Sequence, residues 1–187
     1  MPTVEVHYHE QPGEANTEDT LRIAARRAQE LGIRQVVVAS SHGQTALKAR
    51  QAFPPGVSVT AVTISAAFDQ EGWVMTDEER RRVEEAGVRV LTAMHSLGDD
   101  VSEAVVGQGW APNRVVRETL YRFSQGMKVA VEVAIMAAEA GLVNMDEDLI
   151  AIAGTDSGAD TAIVLKPAYA RFFGQLKIRE VLAMPRG

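Results

Sequence analysis

The chain has no cysteine among its 187 residues. Disulfides, thiolate metal sites and a cysteine nucleophile are therefore excluded. Basic residues are in the minority, 19 Lys and Arg against 25 Asp and Glu, and the formal net charge is −6. A nucleic acid asks for a compensating basic face, so it is not expected as the partner. Long apolar runs are missing too. The most apolar helical stretch, 127–143, carries Lys128, Glu132 and Glu139, and it is too short to cross a bilayer. No membrane segment is expected. The opening MPTVEVHYHE has neither the basic n-region nor the apolar h-region of a signal peptide, and a cytoplasmic location is the expectation. No GxSxG elbow occurs. Gly107-Gln108-Gly109 begins like a dinucleotide loop, but Pro112 stands at its third glycine position, so no Rossmann fingerprint is read there.

What is present is an ordinary globular mixture, 46% apolar and 24% charged. It is long enough for one large α/β domain over residues 1–187. Two short apolar runs, 149–153 and 161–165, flank a Gly/Thr/Asp/Ser loop and read as two buried strands that pair antiparallel. Parallel strands are expected over 34–40, 57–64, 88–92 and 149–154, and a strand over 161–166 should run against the last of these. Three consecutive valines at 36–38 suit a strand covered on both faces. Helices are expected over 16–31, 45–53, 76–86, 112–123 and 127–140. Asn16 is read as the first N-cap, Gly32 as its stop, Thr76 with Glu79 as a capping box, and Gly126 as the end of the helix after Pro112. A strand over 3–9 would place Glu5, His7 and His9 on one face. Such a face could hold a metal, although a polar edge strand accounts for the same residues and no metal site is assigned. The 65–75 segment, with Phe68 and Trp73, reads as a long loop serving as a lid or a partner surface.

The candidate site residues follow from where these strands end. Ser40, Ser41, His42, Gly43, Gln44 and Thr45 form a small polar loop between a strand and a helix N-terminus. That geometry presents free N–H groups to an anion, and an ordinary capped loop would look alike. Ser41 and His42, being adjacent, point apart and are not a catalytic pair. The hairpin loop supplies Gly154, Thr155, Ser157, Gly158, Ala159, Asp160 and Thr161, where backbone amides and hydroxyls could hold a phosphate or simply make a turn. Thr63 and His95 fall at the ends of their strands on the same edge, where open α/β sheets bind ligands. Glu132, four residues after Lys128 inside an apolar helix, needs a partner or a ligand.

The order of these elements gives a three-layer α/β/α sandwich with a mostly parallel mixed sheet. At this level the sequence resembles a known family. VVVASSHGQTALKA, GMKVAVEVAIMAAEAG and IAIAGTDSGADTAIVLKP, with PGEANTEDTL and the closing LAMPRG, are similar to stand-alone proteins related to the pyruvate kinase C-terminal alpha/beta domain. The resemblance implies a mixed sheet with one antiparallel hairpin strand. It implies a phosphorylated ligand held by the 40–45 and 154–161 loops, and flavin mononucleotide (FMN) as the cofactor. It supplies no counterpart of the kinase's catalytic barrel, so phosphoryl transfer is not expected. The 40–45 loop contains no Lys or Arg, which favours one phosphate held by N–H and hydroxyl groups over a bisphosphate.

The leading expectation is therefore a domain binding a phosphorylated small molecule, with a flavin-dependent oxidoreductase left open. A non-catalytic module sensing a sugar phosphate or nucleotide is the second reading. A hydrolase or transferase using His95 or His42 with Asp160 is the third. Association into a homo-oligomer is left open.

Overall fold

The structure is a computed structural model describing residues 3–107 and 109–187. Met1, Pro2 and Gln108, the last being the middle of the Gly107-Gln108-Gly109 run, lie outside the described residues. Strands β1 (His7–His9), β2 (Gln35–Ala39), β3 (Ser58–Thr63), β4 (Arg89–Thr92), β5 (Leu149–Ala153), β6 (Thr161–Lys166) and β7 (Lys177–Pro185) form one seven-stranded sheet. Its order is β1-β7-β6-β5-β2-β3-β4. β2 pairs parallel with both β3 and β5, and β3 with β4. β6 runs antiparallel to β5 and to β7, while β1 lies parallel to β7 at the edge. The strands expected from sequence pair in these directions.

The helices are α1 (Thr17–Leu31), α2 (Gln44–Ala52), α3 (Asp77–Glu85), α4 (Val101–Val106), α5 (Pro112–Tyr121) and α6 (Gln125–Glu139). They cover both faces of the sheet. Alternation along the strands sorts the core into two layers. Val36, Val38, Ile150 and Ile152 pack with Leu21 and Ala24 of α1, Ala46 and Ala49 of α2, and Val83 of α3. Val37, Leu149, Ala151, Ile163 and Leu165 pack with α6. Both layers reach complete burial in the hairpin strands, which is why those strands read as unbroken apolar runs. Truncating Ile150 or Ile152 to alanine removes about 2–5 kcal/mol by this logic.

Several local readings change. Gly126 does not end α5, which stops at Tyr121; it sits in the first turn of α6, whose N-cap is Ser124 with the Met127 amide on its hydroxyl at 2.8 Å. The reason for glycine is tertiary: a Cβ there would run into the Thr161 side chain and lie 2.7 Å from Asp160 Oδ1. Asn16 stands at the N-cap position of α1 without capping it, because its amide donates to Gln11 O and Gly13 O at 2.7 and 3.1 Å. Leu31, the last residue of α1, is exposed. The first strand is confined to His7–His9, and His9 Nε2 lies 3.0 Å from Thr20 Oγ1. Among the described residues no group of three His, Asp or Glu side chains is placed to hold a metal. Nor is any helix among them long and apolar enough to cross a membrane.

Candidate functional site

β2, β3, β4 and β5 run in one direction, so the loops leaving their carboxyl ends share one edge of the sheet. A cavity of about 520 Å³ opens there, walled by the loops after all four strands and floored by α6. That is a small-molecule volume.

The loop after β2 carries Ser40 to Thr45. The Ser40 amide returns to Val62 O at 3.0 Å, and its hydroxyl accepts the Ala46 amide at 3.2 Å. Ser40 thus satisfies the third N–H of α2 from outside the helix. The amides of Ser41, His42, Gly43, Gln44 and Thr45 find no protein acceptor among the described residues. Ser41, His42, Gln44 and Thr45 line the cavity with Ser40. Gly43 does not. Its φ of 82° makes the left-handed turn into α2, and Val83 fills the space its side chain would need. Gly43 is among the candidate site residues of this loop, but the room its missing side chain leaves is taken by α3. One turn into α2, Lys48 brings an ammonium to the wall, 3.1 Å from Glu18.

The second wall is the β5–β6 loop, and its residues divide by what their amides do. Thr155 N donates to Asp160 Oδ2 at 3.1 Å, Ser157 N to Thr155 O at 2.7 Å, Ala159 N to Thr17 Oγ1 at 3.0 Å and Asp160 N to Ala153 O at 3.0 Å. The amides between them, on Gly154, Asp156 and Gly158, have no acceptor among the described residues. Gly154, Asp156, Ser157 and Gly158 line the cavity, whereas Thr155, Ala159, Asp160 and Thr161 do not. Asp156 holds a left-handed φ of 60°, which an aspartate tolerates better than most side chains. Asp160 is fully buried and also accepts Gly13 N at 2.9 Å and the Thr161 hydroxyl at 2.8 Å. It builds the loop from behind. The segment around Gly13 thereby brings Glu14 and Thr17 onto the wall, two residues that the loop-by-loop sequence reading missed.

Thr63 closes the floor near β4, its hydroxyl 2.6 Å from that of Thr92. His95 lies against Phe68, ring centroids 5.6 Å apart, and Phe68 stacks on Trp73 at 5.7 Å and 15°. The three rings form an aromatic bank on the rim, so the 65–75 loop belongs to the site. His95 Nδ1 is 2.9 Å from Asp99 Oδ2. His42 Nδ1 is 3.2 Å from Glu79 Oε2, an oxygen that also takes the Thr76 amide and hydroxyl of the capping box at 2.9 and 3.0 Å. The Thr76 amide, ahead of His42 and the Thr76 hydroxyl, holds the Glu79 carboxyl below its ordinary range. On α6, Lys128 and Glu132 form a buried pair, Nζ to Oε2 2.6 Å. The only cations on the wall among the described residues, histidines aside, are Lys48 and Lys128, against Glu14, Glu79, Asp99, Glu132 and Asp156. Phosphate-sized anions would therefore depend on amides rather than on net charge.

The pyruvate kinase alpha/beta domain model matches residues 18–165. The chain belongs to that family. The match spans β2 to β6, the elements that carry both amide-bearing loops. Solved structures of pyruvate kinase from Cryptosporidium parvum are similar to the chain at low identity. One is 13% identical over 83% of this chain and 23% of its own, with a TM-score of 0.43. Another, in complex with ADP, is 15% identical over 91% and 24%, with a TM-score of 0.40. A third is 13% identical over 84% and 24%, at 0.41. The alpha/beta domain chain spans about a quarter of the length of those enzymes.

Proposed function

We propose that this chain binds a phosphorylated small molecule at the carboxyl edge of its sheet, with FMN as the first ligand to test. The observation that carries the reading is the group of unpaired amides at the N-terminus of α2, of which those of Ser41, His42, Gln44 and Thr45 belong to cavity-lining residues. Such a set favours an anion through both its N–H groups and the helix dipole. The Ser41 and Thr45 hydroxyls add donors, and Gly154, Asp156 and Gly158, whose amides have no acceptor among the described residues, line the same space. The residues present suit FMN: its phosphate on the α2 amides, its planar ring toward Phe68 and His95 and the apolar side chains of Val129, Val133 and Met136. When bound, a flavin supplies the electron-transfer chemistry, and the protein's part is to orient it and limit water.

A non-catalytic module sensing a sugar phosphate or nucleotide is the second reading. It is favoured by the engagement of both cavity histidines with carboxylates, His42 with Glu79 and His95 with Asp99. The third reading, a hydrolase or transferase pairing His42 or His95 with Asp160, is dropped. Asp160 is spent on Gly13, Thr155 and Thr161 and is not on the cavity wall. ATP formation from phosphoenolpyruvate is not part of the proposal.

The test is titration of ligand-free protein with FMN and with riboflavin, which differ only by the phosphate. Tighter binding of FMN is expected. Equal binding of the two overturns the phosphate reading of Ser41 to Thr45.

A further inference from the structure

Lys128 lines the cavity floor, and its ε-ammonium has more hydrogen-bonding capacity than the protein uses. The residue is 6% exposed. An ammonium carries three N–H donors, and among the described residues only Glu132 Oε2 accepts from it, at 2.6 Å. The Tyr121 ring, its centroid 5.8 Å from Nζ, attracts the charge without accepting a conventional hydrogen bond. Buried donors left unmade are costly, so the remaining N–H groups call for an acceptor from within the cavity.

Glu132 is held from the other side. Its Oε1 accepts the Leu97 amide at 3.0 Å and its backbone carbonyl accepts the Ser96 hydroxyl at 3.1 Å. The carboxylate is therefore fixed by the segment after β4, and it fixes the lysine head in turn. Charge narrows what the lysine can take. The pair is neutral as a unit, and a second phosphate placed on Lys128 would lie against the Glu132 carboxylate in a low-dielectric floor. An uncharged oxygen acceptor meets no such repulsion.

The geometry points to Lys128 as a recognition residue for a carbonyl oxygen on the part of the ligand remote from its phosphate. The ligand class is then a monophosphate whose other end carries a carbonyl group, and bisphosphates are selected against. This inference rests on the reading that the cavity takes a phosphorylated molecule, but its test separates the two. The variant is Lys128→Met with Glu132→Gln, which removes the ammonium without leaving a buried charge unpaired. Replacing a buried pair by neutral side chains of similar volume is often tolerated, and a thermal melt of the ligand-free variant checks that it folds. FMN and riboflavin are titrated into wild type and variant. Both carry the same ring carbonyls. Both are expected to lose affinity by the same factor, about tenfold to hundredfold, with the FMN-to-riboflavin ratio unchanged. Undiminished affinity in the folded variant overturns the inference, and so does a loss confined to FMN, which would place Lys128 on the phosphate. Equal binding of FMN and riboflavin by the wild type removes the phosphate reading alone, because the Lys128 comparison still runs on riboflavin. A wild type that binds neither overturns both.

Discussion

Val83 of α3 occupies the position that a side chain on residue 43 would take. The contact locks the turn between β2 and α2 against a helix from a different βα unit. Gly43→Ala is expected to cost the left-handed penalty of about 1–2 kcal/mol plus the displacement of Val83. Adding Val83→Ala should relieve the steric part and leave the backbone part, so the double variant should melt above the sum of the single losses. A strictly additive double variant would show that Val83 is not the obstacle.

Glu132→Ala should destabilise the protein far more than Glu139→Ala. The first leaves Lys128 buried and unpaired, a loss of about 3–5 kcal/mol. The second removes one exposed hydrogen bond, from the Ala170 amide at 2.7 Å, about 0.5–1.5 kcal/mol. Chemical denaturation of the two variants checks the order, and equal midpoints would refute it.

Asp160→Ala should loosen the hairpin loop and the Gly13 segment together. One carboxylate oxygen accepts the Gly13 and Thr155 amides and the other the Thr161 hydroxyl, and alanine in its place leaves all three without that acceptor. The cost is about 1–3 kcal/mol for each buried group left unpaired. Hydrogen exchange is the measurement: the amides of Gly13 and Thr155 should both lose protection, whereas unchanged Gly13 exchange would break the proposed link.

Acid should act in two windows. Burial, outweighing the pull of Asp160 and Asp19, holds the His9 pKa below its ordinary 6.5. The unfolded chain then binds more protons below that pH, so stability falls as pH drops from 6.5 toward the folded value. Glu180 is held below its ordinary 4.5 first by hydrogen bonds from Arg27, at 2.7 and 2.8 Å, and by the Arg27 charge. Its contribution is complete above 4.5 and is lost as pH falls below that toward the folded value. His9→Gln should flatten the upper window and Glu180→Gln the lower one in stability measured against pH. A His9→Gln profile that retains the upper slope would assign it elsewhere.

The sheet was readable because burial on both faces leaves a plain signal. Val36 to Val38 and Leu149 to Ala153 have nowhere to go except the centre. The amide-bearing loops were readable for a related reason: small polar residues directly after a buried strand mark the edge where α/β sheets turn. What failed was meaning that lies in another part of the chain. Gly126 looks like a helix stop and is in fact clearance for Thr161. Gly43 looks like a phosphate cradle and is clearance for Val83. Lys128 carried half a signal, a charge four residues from Glu132 on an apolar helix, but its position on the cavity floor depends on how α6 lies across the sheet. Glu14 and Thr17 carried none, since they reach the wall through bonds of their segment to the hairpin loop, Gly13 to Asp160 and the amide of Ala159 to Thr17, 142 residues away.

The pairing of β1 with β7 has a consequence for the order in which the molecule assembles. His7–His9 precedes every other strand in the chain, yet among the described residues its only partner strand is Lys177–Pro185. During synthesis the central β2, β3 and β4 can associate while β1 still has nothing to join. The Gly13–Asp160 bond, and with it the final shape of the hairpin wall, must wait for the β5–β6 loop. The hairpin wall of the ligand cavity is thus completed after the central strands and before the β1–β7 edge, and a nascent chain halted before residue 160 would have the first loop without a braced second.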